Sequence, residues 1–134
     1  ALNAVQAGAA FPRDGEVVVA ALEAVHALAP RLQELCARRG ERLAHVAADL
    51  VLLGEGRHAD PHSLALLLVT LAAVTSDGSA TAPGGAAGEQ WRAAFGRVAA
   101  VVVPLRVLYE HCGNTDLVCA AAICLRCLTY GSPP

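Results

Sequence analysis

The sequence contains no lysine and no methionine, and it has few aromatic residues. All 10 residues with a permanent positive charge are arginines, and aromatic side chains make up only 4% of the 134 residues. The absence of lysine argues against a lysine-based catalytic step. The scarcity of aromatics means that a core drawn from the 55% hydrophobic residues consists mainly of Ala, Val and Leu. Such small side chains let helices approach closely, which favours layered helices in a single domain.

The sequence also lacks a concentration of positive charge. Its formal net charge is −2 and only 16% of its residues are charged. The single basic cluster, Arg38, Arg39 and Arg42, is flanked by Glu34 and Glu41. A nucleic-acid interface normally needs a continuous basic stripe, so we predict that the chain does not bind nucleic acid.

No apolar run is long enough to cross a bilayer. The longest, residues 64–74 with Thr70 inside it, is much shorter than the roughly 20 residues that a membrane-spanning helix requires. The N-terminus shows no charged segment followed by an apolar one, so no secretory signal is visible. We therefore predict no membrane span and an intracellular, cytoplasmic location.

The five cysteines do not form a disulfide framework, because their number is odd and three of them fall within one predicted helix. They are Cys36, Cys112, Cys119, Cys124 and Cys127. The last four are spaced C-x6-C-x4-C-x2-C, which differs from the two close pairs of a zinc knuckle. We interpret them as small apolar residues of the core in a reducing compartment.

Other candidates for chemistry are sparse. His58, Asp60 and His62 could be part of a metal site only with a further ligand, for which His111 or Cys112 are conceivable, and a polar loop is the simpler interpretation. The sequence has no G-x-S-x-G, no H-E-x-x-H and no Gly-rich phosphate loop with its lysine. We predict a protein that is not an enzyme and that needs no metal and no cofactor.

A segment type that occurs three times is the most informative feature. The three copies are residues 14–28, 60–74 and 114–128. Each begins on Asp or Asn, which are good N-cap residues. Apolar residues recur at equivalent positions: Val18, Leu64 and Val118; Ala21, Leu67 and Ala121; Val25, Leu71 and Leu125; and Leu28, Val74 and Leu128. Their spacing of three or four residues is typical of one helix face, and recurrence at intervals of roughly 40–55 residues indicates stacked repeats.

In the third copy and the residues before it, this pattern resembles an armadillo repeat. The residues that match its second helix are Pro104, Leu105, Val107 and Leu108, and those that match its third helix are Asn114, Leu117, Ala121, Leu125 and Leu128. Residues 31–75 resemble the same unit more loosely. HEAT-like repeats share much of this aliphatic pattern.

The resemblance implies an all-α fold, an armadillo-like right-handed superhelix of about two and a half three-helix repeats. It would form one domain over residues 1–134. The expected parts are a partial repeat at 1–30, a repeat at 31–75, a flexible insertion at 76–88 and a repeat at 89–130.

The chain departs from the peptide-binding members of that family. Their third helices carry an Asn ladder that clamps the backbone of an extended peptide, often with a Trp one turn earlier. The equivalent Asn positions here hold Ala27, Ala73 and Cys127, and the Trp positions hold Glu23, Val69 and Ile123. The resemblance therefore does not imply capture of a nuclear localisation signal.

We instead predict a non-catalytic protein–protein interaction or scaffold module. A helical or extended segment of a protein partner would dock across the third helices, in a groove formed by Glu23, His26, Val69, Ala73, Ile123, Arg126 and Cys127. A self-associating structural domain, and hence a homo-oligomer, is one alternative. A zinc-binding module is another.

One further helix, predicted over residues 89–102, places Trp91, Phe95, Val98 and Val102 on one stripe. Such a stripe could anchor a partner, but at helical spacing it more often belongs to the core. Arg92 and Arg97 fall off the stripe and are expected to face solvent.

Overall fold

The computed structural model of the chain describes residues 5–7, 10, 15–40, 42–53, 61–75 and 86–129. Within these residues all regular structure is helical, which confirms the all-α prediction. The helices are α1 (Gly15–Ala27), a 3-10 helix (Ala29–Arg31), α2 (Leu32–Arg38), α3 (Leu43–Leu52), α4 (Pro61–Thr75), α5 (Ala86–Arg97), α6 (Val102–Glu110) and α7 (Thr115–Thr129). Among the described helices, none combines the length and apolar character that crossing a membrane requires.

Helix α4 is the centre of the molecule. It packs most extensively against α7 and α1, and it also contacts α5 and α6. Its sequence is apolar nearly all the way round, as expected for a helix with neighbours on several sides. Its buried residues are Ser63, Leu64, Leu67, Leu68, Thr70, Leu71, Val74 and Thr75. The three similar segments of the sequence therefore correspond to α4 and to the two helices that pack most extensively against it, α1 and α7.

The core is mainly aliphatic. At one set of equivalent positions, Ala21, Leu67 and Ala121 are all buried. Trp91 and Phe95, the two largest buried side chains among the described residues, stack with ring centroids 5.8 Å apart, which confirms a core position for these two residues of the stripe. Val98 is half-buried and Val102 is exposed, so the stripe does not belong to the core as far as Val102.

Two hydroxyls inside α4 are satisfied by carbonyl groups. The Thr70 hydroxyl donates to the Leu66 carbonyl oxygen at 2.7 Å and lies 3.5 Å from the Leu22 carbonyl oxygen of α1. The Thr75 hydroxyl donates to the Leu71 carbonyl oxygen at 3.0 Å. Buried hydroxyls are tolerated when they are paired in this way.

Polar contacts also attach α5 to its neighbours. The Arg92 guanidinium donates to the Thr75 carbonyl oxygen at the end of α4, at 3.3 Å, so Arg92 is half-buried rather than fully exposed as predicted. A carbonyl at a helix C-terminus carries partial negative charge, which a guanidinium stabilises. Gln33 of α2 donates a hydrogen bond to the side-chain oxygen of Gln90. Arg97 is exposed, as expected.

The end of α5 differs from the prediction. The helix ends at Arg97, before a turn at residues 98–101, whereas the sequence pattern predicted a helix to residue 102. Ala99 adopts a left-handed conformation with φ 54°. The Ala100 N–H donates to the Phe95 carbonyl at 3.1 Å and the Ala99 N–H to the Gly96 carbonyl at 3.3 Å. These two bonds form a Schellman motif, which closes the helix.

Two other predicted boundaries can be compared with the structure. Helix α5 begins at Ala86, so residues 86–88 of the predicted insertion are helical, and residues 76–85 lie outside the described residues. Helix α6 begins at Val102, and buried Pro104 falls within its first turn, where a missing N–H costs no helical hydrogen bond. The residues matched to the second-helix pattern, from Pro104 to Leu108, all lie within α6.

Candidate partner-binding surface

The seven residues of the predicted groove lie on α1, α4 and α7, and none of them is buried. Glu23, His26, Val69, Ile123 and Arg126 are exposed, and Ala73 and Cys127 are half-buried. The opposite faces of α4 and α7 contain the buried residues Leu67 and Ala121. The seven residues thus lie on the outward sides of α1, α4 and α7.

The α4 and α7 parts of this surface are apolar. Val69 is 43% exposed and Ile123, at the equivalent position of α7, is 58% exposed. Half-buried residues flank them one turn away on each helix: Leu66, Ala73, Ala120 and Cys127. We call these six residues the apolar stripe. Isolated exposed aliphatics are common, but two large ones at equivalent positions of neighbouring helices form a patch that can bind an apolar side chain.

The α1 part of the surface is polar. Glu23 occupies the position equivalent to Val69 and Ile123, and His26 lies nearly one turn further along α1. Arg126 occupies the corresponding position on α7. In the part of the chain that the structure describes, Glu23 and Arg126 form no ion pair. The surface therefore carries a negative charge at one side, a positive charge at the other and apolar residues between them.

The cysteines divide into buried and exposed groups. Cys36 and Cys124 are buried, whereas Cys112 and Cys119 are exposed and Cys127 is half-buried. The prediction that all of the last four belong to the core was therefore wrong for Cys112, which lies in the turn before α7, and for Cys119, which lies on the outer face of α7. Burial, with a smaller contribution from the neighbouring Cys127, raises the pKa of the Cys124 thiol to about 12. Cys124 is thus an unreactive core thiol.

The residues considered as metal ligands lie only partly within the described part of the chain. His58 and Asp60 lie outside the described residues, and His62 is exposed in the first turn of α4. His111 is half-buried and Cys112 is exposed, both in the turn between α6 and α7. Across the described ranges, no group of three or more His, Cys, Asp or Glu residues is arranged to hold a metal ion.

A second apolar surface was missed in the sequence. Val102, Leu105 and Tyr109 on α6 are 46%, 48% and 86% exposed. Their i, i+3, i+7 spacing is typical of one helix face and could have indicated this surface. The sequence pattern instead assigns Leu105 to the second helix of a repeat and Val102 to the stripe of the preceding helix. In the structure α6 buries the other side of the helix, at Pro104 and Val107, and packs on α7. We call these three residues the α6 stripe.

Comparison of the chain with protein-family models, with curated proteins and with solved structures finds no match. The surface chemistry of the chain itself is therefore the basis for a functional assignment.

Proposed function

We propose that this chain is a non-catalytic protein–protein interaction module with an armadillo-like right-handed superhelical fold of about two and a half repeats. Three features of helix packing support the fold proposal. Helix α4 lies between α1 and α7, α6 packs on α7, and the equivalent residues Ala21, Leu67 and Ala121 of the three similar helices are buried. Such stacking is how repeat proteins bury apolar faces that a single unit leaves open.

The observation that carries the functional proposal is the apolar stripe. Val69 and Ile123 are exposed on adjacent helices, and Ala73, Ala120 and Cys127, one turn away from them, are small and half-buried. The apolar side chains of a helical or extended segment would pack against these residues. Because the Asn and Trp ladder is absent, side-chain packing rather than backbone clamping would dominate binding.

The charges at the edges of the surface specify the partner further. Arg126 lies beside the apolar stripe on α7, and Glu23 lies at the α1 side. A complementary segment carries an acidic residue at one end, an apolar centre and a basic residue at the other end. Exposed charges of this kind contribute more to orientation and association rate than to affinity.

The test is a comparison of captured proteins. The wild-type domain and the double variant Ala73→Trp with Arg126→Glu would each be used to capture proteins from a cell extract, and the partner identified by mass spectrometry would then be titrated. We expect the double variant to bind at least about tenfold more weakly, because the tryptophan fills the space beside Val69 and the glutamate repels an acidic residue.

The matched control makes the same chemical changes elsewhere. Ala37→Trp with Arg106→Glu alters an exposed alanine on α2 and an exposed arginine on α6. This control is expected to bind like the wild type. If the double variant at Ala73 and Arg126 retains wild-type affinity while its circular dichroism is unchanged, the partner surface lies elsewhere.

The α6 stripe supports a second candidate function, self-association of the domain within a larger assembly. Three exposed apolar side chains on one helix face are unusual on a small surface. In this candidate function the stripe of one copy packs on that of another.

A further inference from the structure

A cleft of about 410 Å³ lies between the start of α3 and the second half of α5. The two helices pack directly against each other, and the cleft opens beside their contact. Leu43 and Ala44 line it from α3, and Ala93 and Ala94 line it from α5. Its volume falls within the range of about 300–1,000 Å³ that is usual for small-molecule sites.

Among the described residues that line the cleft, every ionisable side chain is basic. They are Arg42, His45 and Arg97. The chain as a whole carries a net charge of −2, so this concentration opposes the overall charge. Like charges around one cavity repel each other, and a bound anion removes that repulsion.

The cleft arginines differ from Arg31 and Arg38 in their contacts with acidic residues. Arg31 and Arg38 lie 3.7 and 2.7 Å from the Glu34 carboxylate. Arg42 and Arg97 have no such acidic partner among the residues that the structure describes. Their guanidinium groups therefore retain their capacity for bidentate binding of an oxyanion.

Further hydrogen-bond donors lie on both walls. The Gln90 side-chain oxygen accepts a hydrogen bond from Gln33, which leaves the amide N–H groups of Gln90 as donors. Arg42 is the N-cap residue of α3 and supplies no side-chain cap. The N–H groups of the first turn of α3 thus add partial positive charge at the same end of the cleft. Donors from two helices suit a tetrahedral oxyanion, whose oxygens point in several directions, better than a planar carboxylate.

We propose that this cleft binds a small organic phosphate. The phosphate group contacts Arg42, His45 and Arg97, and the organic part packs against Ala93 and Ala94. The cleft lies on helices other than α1, α4 and α7, so this site is independent of the proposed partner surface. Two guanidinium groups and one imidazole around one cavity match one phosphate group rather than the continuous charge of a nucleic acid.

The proposal can be tested by titrating the whole domain at constant ionic strength with inorganic phosphate, phenyl phosphate and benzoate, followed by amide NMR shifts. We expect saturable binding of phenyl phosphate, with shift changes at residues 42–46 and 90–97. Inorganic phosphate should bind more weakly because it lacks the apolar contact, and benzoate more weakly because it offers fewer oxygens. Arg42→Gln and Arg97→Gln should each weaken phenyl phosphate binding about tenfold or more.

The control is Arg106→Gln, which removes one exposed arginine from α6, away from the cleft. It should leave phenyl phosphate binding unchanged. An equal loss in Arg106→Gln and Arg97→Gln, or shift changes that never saturate, would show general charge attraction and overturn the proposal. Tighter binding of a phosphoserine peptide than of phenyl phosphate would also overturn it, in favour of a phosphorylated protein as the ligand.

Discussion

At the scale of single residues, Ala99 is where the backbone is most strained. Among the described residues it is the only non-glycine residue with positive φ, at 54°. For an L-residue with a Cβ this conformation is unfavourable by roughly 1 kcal/mol, whereas for glycine it is not. We expect Ala99→Gly to raise the free energy of unfolding by about 1 kcal/mol, because it removes this strain from the Schellman motif. Urea unfolding followed by circular dichroism measures the change.

The control for this prediction is an alanine in regular helix. Ala93 is exposed within α5, so Ala93→Gly should lower the free energy of unfolding by about 1 kcal/mol. If both substitutions destabilise the domain equally, the left-handed conformation of Ala99 does not exist in solution.

Residue-level prediction from sequence succeeded where a residue type signals its own conformation. Glycine adopts positive φ without steric cost, and Gly40 follows α2 with φ 68°. Ala99 gave no such signal, because alanine favours helix and the residues before it continue an apolar stripe. The end of α5 is determined by the packing of Phe95 and by a turn that alanine tolerates at a cost.

At the scale of helices, Asn114 fixes the start of α7. Its side-chain oxygen accepts a hydrogen bond from the Leu117 N–H at 3.2 Å, as the sequence predicted for an N-cap. We expect Asn114→Ala to lower the free energy of unfolding by about 1 kcal/mol, since one N–H of the first turn loses its partner. Asn114→Asp should retain most of the stability, because a carboxylate accepts the same hydrogen bond.

Thermal unfolding of the wild type, Asn114→Ala and Asn114→Asp measures these differences in stability. Equal stability of Asn114→Ala and the wild type would mean that water replaces the cap without cost. Asp14 and Asp60, the equivalent residues of the other two segments, lie outside the described residues. In α4, Pro61 occupies the first helical residue, where its missing N–H costs no helical hydrogen bond.

Helix-level prediction worked best for the apolar face of α4, where Leu64, Leu67, Leu71 and Val74 are all buried, and for the cap of α7 at Asn114. On α7 itself, Val118 and Leu125 are only half-buried. Helix-level prediction failed for the exposure of Leu105. An apolar residue spaced for a helix face predicts burial only if a neighbouring helix covers that face, and a single sequence does not show the neighbours. The cleft beside Arg42 and Arg97 could not be predicted from the sequence for the same reason, because the two helices that form it are far apart in the chain.

At the scale of the whole molecule, the α6 stripe raises the question of oligomeric state. Its three exposed side chains form a much smaller contact than the roughly 800 Å² per partner that stable complexes bury. We expect a monomer at low concentration, with weak association at high concentration that Leu105→Glu abolishes. Multi-angle light scattering over a concentration series measures it.

A matched control is available on α3. Leu52 is 43% exposed, close to the 48% of Leu105, so Leu52→Glu introduces the same charge at a similar site. It should associate like the wild type. A stable dimer at the lowest concentration, dissociated by Leu105→Glu but not by Leu52→Glu, would instead favour the self-association function.

The position of α4 between α1 and α7 also governs how a change at one end of the molecule can reach the other. Both interfaces use the same helix, so a displacement of α4 that tightens one interface necessarily alters the other. Close-packed helices shift as rigid bodies rather than deform locally. Communication along the proposed partner surface, from Glu23 on α1 to Ile123 on α7, would therefore run through α4. The Thr70 hydroxyl, 3.5 Å from the Leu22 carbonyl oxygen of α1, lies at one of the two interfaces that such a displacement alters.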